Sequence, residues 1–232
     1  MRVLKLLAVA SVIAAGPVLA GPLEDGLAAH GRKDYATAAR LFRPLANSGN
    51  ANAQSNLGGM YMNGEGVPKD DQQALSWYRK AADQGHADTQ IILGSMYEKG
   101  QGVPKDDQQA TFWYRKAADQ GIALAQGLLG LMYGNGQGTP KDYQQALFWY
   151  RKAADQGDAN AQGMLGVMYY NGQGVPKDDQ LAYFWWLLAS VGGGAIEVNT
   201  RDLVEKRLTP QQRAAAQADA RNWKPNILPT IR

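Results

Sequence analysis

The 232-residue chain carries 24 Lys and Arg against 21 Asp and Glu, and it has no cysteine. That composition excludes disulfides, thiolate metal sites and a lipid-modified cysteine. Two of the basic residues, Arg2 and Lys5, fall in a leader-like start, so the rest of the chain is near charge balance and gives no global electrostatic case for nucleic acid or an anionic membrane.

Residues 1–20 read as a secretory signal peptide. Arg2 and Lys5 are followed by an apolar run from Leu6 to Ala15 and by the small-residue stretch Val18-Leu19-Ala20. A run of about ten residues is half what a bilayer requires. Cleavage is expected near Ala20, which places the mature protein in the periplasm or outside the cell, with no transmembrane segment.

Residues 21–50 are expected to form a degenerate helix pair. A short helix from Leu23 to His30 turns through Gly31-Arg32-Lys33 into a second helix that starts near Asp34 and closes at Leu45–Gly49.

From residue 51 one segment recurs four times at a 36-residue period, giving units 51–86, 87–122, 123–158 and 159–194. Leu-Gly-x-Met-Tyr starts at Leu57, Leu93, Leu129 and Leu165; Ala-Ala-Asp-Gln-Gly closes the first three units at Ala81–Gly85, Ala117–Gly121 and Ala153–Gly157. Fixed self-similarity of this length marks a solenoid, in which a unit buries its apolar face only against its neighbours. The second unit shows the parts. An uninterrupted helix-periodic stretch runs from Ala87 to about Lys99. The turn Gly100-Gln101-Gly102-Val103-Pro104-Lys105 stops it, and Asp106 is placed to cap a second helix through Ala110, Trp113, Tyr114, Ala117 and Ala118. Gly121 fills the left-handed position after that helix. Trp77, Trp113, Trp149 and Trp185 share one slot and read as core residues. Gly58, Gly94, Gly130 and Gly166 sit mid-helix, which costs about 1 kcal/mol each against alanine and calls for close helix approach. Before the first helix of each unit stand Asn50, His86, Ile122 and Asp158; Asn50 and Asp158 are good caps, and His86 and Ile122 are not.

The fourth unit ends differently, with Leu187-Leu188 in place of Arg-Lys and Val191-Gly192 in place of Asp-Gln. Two further helices, from about Ala195 to Arg207 and from Thr209 to Trp223, are expected to cover this end, the second with Thr209 as cap, Pro210 at its first position and Gln212 in the capping-box position. Residues 195–223 are thus a terminal cap, and 224–232 a tail.

The pattern Ala-x-Ala-Gln-x-x-Leu-Gly-x-Met-Tyr-x-x-Gly-x-Gly-Val-Pro-Lys-Asp-x-x-x-Ala-x-x-Trp-Tyr-x-Lys-Ala-Ala-x-Gln-Gly resembles the Sel1-like repeat family, a relative of the tetratricopeptide repeat. The resemblance implies an all-α, right-handed solenoid of helix pairs and the role of an exported bacterial adaptor or scaffold that binds a protein or peptide. It brings no catalytic motif and no cofactor. Some exported members carry paired cysteines in each repeat, and this chain has none.

The repeats also form an internal alignment. Counting from the first alanine of each unit, positions 2, 5, 6, 9 and 12 of the first helix vary, while 1, 3, 4, 7, 8, 10 and 11 hold nearly constant. At about 100° per residue the variable set occupies one arc of about 120°. The candidate partner-binding residues on that face are Asn52, Ser55 and Met62; Asp88, Ile91, Ser95 and Glu98; Leu124 and Leu131; and Asn160, Val167 and Tyr170. The expectation is a groove with an apolar centre around Leu124, Leu131 and Val167, beside an acidic wall at Asp88 and Glu98. Two rival readings are a structural, glycan-binding envelope element that uses Tyr143 and Tyr170 as stacking platforms, and a cell-wall hydrolase.

Catalytic chemistry is otherwise absent. The histidines, His30 and His86, lie far apart and read as surface residues, so neither a His-paired metal site nor a Ser-His-Asp triad is expected. No serine precedes a lysine by three residues. The Gly-x-Gly-Val-Pro-Lys-Asp loops lack the Lys-Ser/Thr of a phosphate loop, and the Lys-Asp-Asp runs fit turn and capping duty. No cofactor and no metal are expected, and a monomer is the working assumption.

Overall fold

The computed structural model describes residues 21–193 and 198–225, and among them there are twelve helices and no strand. The expected leader and residues 226–232 of the tail lie outside these, as does the start of the first capping helix. The N-terminal pair is α1 (Pro22–Gly31) and α2 (Tyr35–Asn47). The four full repeats supply α3 (Ala51–Asn63) with α4 (Asp71–Asp83), α5 (Ala87–Lys99) with α6 (Asp107–Asp119), α7 (Ala123–Asn135) with α8 (Tyr143–Asp155), and α9 (Ala159–Asn171) with α10 (Asp179–Val191). The end is covered by α11 (Val198–Arg207) and α12 (Pro210–Asn222). Each helix packs on the next in chain order as far as α10, and α11 and α12 both pack on α10.

Local signals account for the boundaries. Asp70, Asp106, Asp142 and Asp178 each accept a backbone N–H in the first turn of α4, α6, α8 and α10. Thr209 and Gln212 complete a reciprocal capping box on α12, with Pro210 at its first turn. Asn50 and Asp158 cap α3 and α9 through their side chains, and Ile122 makes no side-chain cap. His86 departs from expectation. Its Nδ1 accepts the Thr89 N–H at 3.3 Å, while Nε2–H donates to Asn52 Oδ1 at 2.9 Å. An imidazole in this tautomer thus does the work of an asparagine and also ties α5 to α3.

Three side-chain devices recur along the array. The first is a glutamine ladder. Gln54, Gln90, Gln126 and Gln162 are almost fully buried. Their Nε2 groups donate to the carbonyls of Ala46, Ala82, Ala118 and Ala154 on the preceding helix. Their Oε1 atoms accept from Gln84, Gln120 and Gln156 in the first three repeats. Burying an amide is tolerable only with such partners. In the fourth repeat the donor position is Gly192, and the ladder ends there.

The second device links successive repeats. Arg43, Arg79 and Arg115 donate to the hydroxyls of Tyr61, Tyr97 and Tyr133. The third is glycine beneath an aromatic ring. A Cβ built on Gly58, Gly94 or Gly130 would fall 2.6–2.8 Å from carbons of Tyr78, Tyr114 or Tyr150, and Gly166 meets Trp186 in the same way. The compensation for a mid-helix glycine is therefore an aromatic side chain of the paired helix lying on its backbone.

Trp113, Trp149 and Trp185 are buried at 1%, 4% and 2% exposure, as core residues should be; Trp77, at the junction with the degenerate pair, is partly exposed. At the far end Val204, Leu208 and Ala216 close over Ala182, Tyr183 and Trp186. Arg207 pairs with Asp179 at 3.0 Å. The apolar substitutions of the fourth repeat are covered only in part. Leu188 is buried beside Ala220 and Trp223, and Leu187 packs in the cap cluster. Val191 stays 90% exposed.

Candidate interaction face

The twelve candidate residues come from α3, α5, α7 and α9, and none of them is buried. Position 2 of each repeat, held by Asn52, Asp88, Leu124 and Asn160, is the most open. Many of the others are already engaged. Asn52 holds His86, and Ser55 accepts from the Thr89 hydroxyl at 2.7 Å. Met62 packs toward Tyr78 and Met96, and Ile91 toward Leu93 and Leu129. Val167 and Tyr170 join the cap cluster around Trp186.

Two expectations change. Val167 is not part of an apolar centre with the two leucines. Instead Leu124 and Leu131 meet Asn160 in a depression of about 270 Å³ between α7 and α9, completed by Gly127, Leu128, Tyr150, Asp158, Ala161 and Met164. Nor does Glu98 form an open acidic wall with Asp88, because its carboxylate accepts the Tyr114 hydroxyl at 2.7 Å. Asp88 alone stays exposed. The residues missed from sequence are Leu128 and Met164 at position 6, and Tyr150 on α8. Position 6 does vary, as Asn56, Ile92, Leu128 and Met164, and that variation was the available signal. Tyr150 is constant in type in the first three repeats, so variability could not reveal it.

The histidines are not loose surface groups. His30 pairs with Glu65 at 2.9 Å and meets Tyr35 edge-on at 5.1 Å, which fastens the degenerate pair to the first full repeat. Tyr143 and Tyr170 do not present bare rings either. Lys141 lies over Tyr143, and Lys177 and Arg207 over Tyr170. Among the described residues no group of three or more His, Asp or Glu is placed to hold a metal ion, and no helix is long and apolar enough to cross a membrane.

Burial pushes the phenol of Tyr78 up to about 12, with a smaller contribution from the Glu65 carboxylate. Tyr114 and Tyr150 are raised for the same first reason, Tyr114 also by its bond to Glu98. The unfolded chain then loses these protons first as pH rises through about 10, so it binds fewer protons than the native state. Stability is fully present below pH 10 and falls above it, by up to about 1.4 kcal/mol per pH unit for each such tyrosine. Urea unfolding at pH 9, 10 and 11 checks this; a flat profile would contradict the burial of the three phenols.

The model of the Sel1 repeat family matches residues 19–50, 51–86, 87–122, 123–158 and 159–190. The chain belongs to the Sel1 repeat family. Among solved structures, this Sel1 repeat protein is similar to one from Oxalobacter formigenes, with 32% identity over 84% of this chain and 85% of that one and a TM-score of 0.69. It is also similar to c5321, a protective antigen present in uropathogenic Escherichia coli strains, with 33% identity, 87% of this chain covered and a TM-score of 0.53. The match spans 52% of that antigen. No curated protein matches. The family model includes the degenerate pair, where Gly26 meets the Phe42 ring as Gly58 meets Tyr78.

Proposed function

We propose that this Sel1 repeat protein is an exported, non-enzymatic adaptor that holds a segment of another protein on the face built by α3, α5, α7 and α9. The observation that carries the reading is the depression around Leu124, Leu128, Leu131 and Met164. Leu124 is 53% exposed, on a face whose other position-2 residues are Asn52, Asp88 and Asn160. An open apolar hollow with a polar rim is the form taken by the anchor pocket of a protein interface, and solenoids use extended repeat faces for this purpose. Export is supported by the signal-peptide pattern of residues 1–20. A protective antigen among the relatives is compatible with it. A glycan-binding element is less well supported, since cations cover both Tyr143 and Tyr170.

Cross-linking the native protein in the cell envelope, followed by mass spectrometry, tests the reading. The double variant Asp88→Lys, Leu124→Arg alters only exposed positions, so the fold should persist. Recovery of the specific partner is expected to drop at least about tenfold. Phe148→Ser, on the exposed face of α8, should leave recovery unchanged. The reverse pattern would move the interface to the second-helix face.

A further inference from the structure

The aromatic residue that lies on the mid-helix glycine is satisfied differently from repeat to repeat. In the second repeat the Tyr114 hydroxyl has two polar neighbours on α5, Glu98 at 2.7 Å and Ser95. In the third repeat the corresponding positions are Gly134 and Leu131. Tyr150 is nevertheless 3% exposed, and its hydroxyl has no hydrogen-bond partner among the described residues. The hydroxyl oxygen is not sealed from solvent, so it is open to an incoming acceptor.

Tyr150 is also a wall shared by two adjoining cavities, which have Met164 in common as well. One is the apolar depression of Leu124, Leu128 and Leu131. The other, of about 280 Å³, is lined by Gly134, Asn135, Lys141, Tyr143 and Gln173. Together they form a groove along α7 and α9, apolar at one end and polar with a lysine at the other. The groove is open here because glycine occupies both position 5 and position 12, where the second repeat has Ile91 and Glu98. Asp158, at the apolar end, already accepts the Ala161 N–H at 2.8 Å.

We propose that this groove takes an extended segment of the partner carrying a Glu or Asp side chain about three residues from an apolar one. The carboxylate accepts the Tyr150 hydroxyl in the place that Glu98 holds at Tyr114, next to Lys141, and the apolar side chain enters the leucine pocket. Leu128 and Gly134 are separated by about 9 Å of helix rise, which matches three residues of an extended segment in the polyproline-II conformation, at about 3.1 Å each and with residues i and i+3 on one side. Charge-assisted bonds of this kind are stronger than neutral ones, so the acid selects the segment while the leucine pocket anchors it. The inference rests on the groove reading above and adds the chemistry of the bound segment.

Calorimetric titration with acetylated, amidated peptides tests it, using leucine and glutamate separated by two alanines against the same peptide with glutamine. The glutamate peptide is expected to bind at least about tenfold tighter. Tyr150→Phe should bring the ratio close to one. Gly134→Glu restores the arrangement of the second repeat; a Cβ at Gly134 has its nearest neighbour at 3.7 Å, so the variant should fold and should lose the glutamate peptide. Equal binding of both peptides to the native protein overturns the carboxylate assignment and leaves the apolar anchor standing. Binding of neither, with partner recovery still sensitive to Leu124→Arg, also overturns the inference but not the interaction face. Partner recovery insensitive to Leu124→Arg removes the face itself.

Discussion

Trp113→Ala is expected to lower the unfolding free energy by about 3–5 kcal/mol, the range for truncating a fully buried large aromatic. Trp113 is 1% exposed and touches the cluster of Leu93, Tyr97, Tyr114 and Met132, so it stands between the second and third repeats. In a repeat array stability is held by nearest-neighbour interfaces. Weakening one central interface should therefore do more than shift the midpoint. The two halves should begin to unfold separately, so that circular dichroism and indole fluorescence no longer trace one urea transition.

Two companion substitutions make this specific to burial. Trp77 occupies the same slot but is partly exposed, so Trp77→Ala should cost markedly less. Trp113→Phe should cost little for its lost volume, because the indole Nε1 of Trp113 is buried without a partner. Removing an unpaired buried donor offsets part of the lost contact area. If Trp77→Ala and Trp113→Ala cost the same, the array is not stabilised junction by junction.

The repeat spacing, the helix pairs, most caps and the buried tryptophan slot could be read from the residues because each depends on local chemistry. Aspartate before a helix, glycine after one and a 36-residue period act within a few turns or by simple repetition. The exposure of position 2 was legible for a related reason: Asn52, Asp88, Leu124 and Asn160 vary in type, and all four are exposed. What the residues did not disclose is how each side chain spends its contacts. Glu98 looks like an open acid until Tyr114 is seen beneath it, and Val167 looks like a neighbour of Leu131 until the cap draws it toward Trp186. His86 looks like a poor cap because propensities average over rotamers, whereas here Asn52 orients its ring. The groove itself depends on absent side chains, at Gly127 and Gly134, and on a tyrosine reached from another helix.

Glycine substitutions on α7 should go in opposite directions within one turn. Helix propensity alone favours alanine over mid-helix glycine by about 1 kcal/mol. At Gly134 nothing opposes it, since the nearest atom to an added Cβ is Ala146 Cβ at 3.7 Å; Gly134→Ala should stabilise by up to about 1 kcal/mol. At Gly130 the added Cβ falls 2.8 Å from Tyr150 Cδ1 and 2.9 Å from Cε1. Those atoms are carbons of an aromatic ring at 3% exposure, so relieving the contact means displacing the whole ring and not the end of a flexible side chain. Overpacking of this kind costs about 1–3 kcal/mol, occasionally more, so the clash should outweigh the propensity gain and Gly130→Ala should destabilise by about 1–3 kcal/mol. If the ring is the cause, Tyr150→Ala in the Gly130→Ala background should cost less than Tyr150→Ala alone, because the new methyl fills space the ring has left. Urea unfolding of the four proteins in that cycle gives the coupling directly. Additive costs would mean that the glycine is there for the backbone of α7 and not for the tyrosine lying across it.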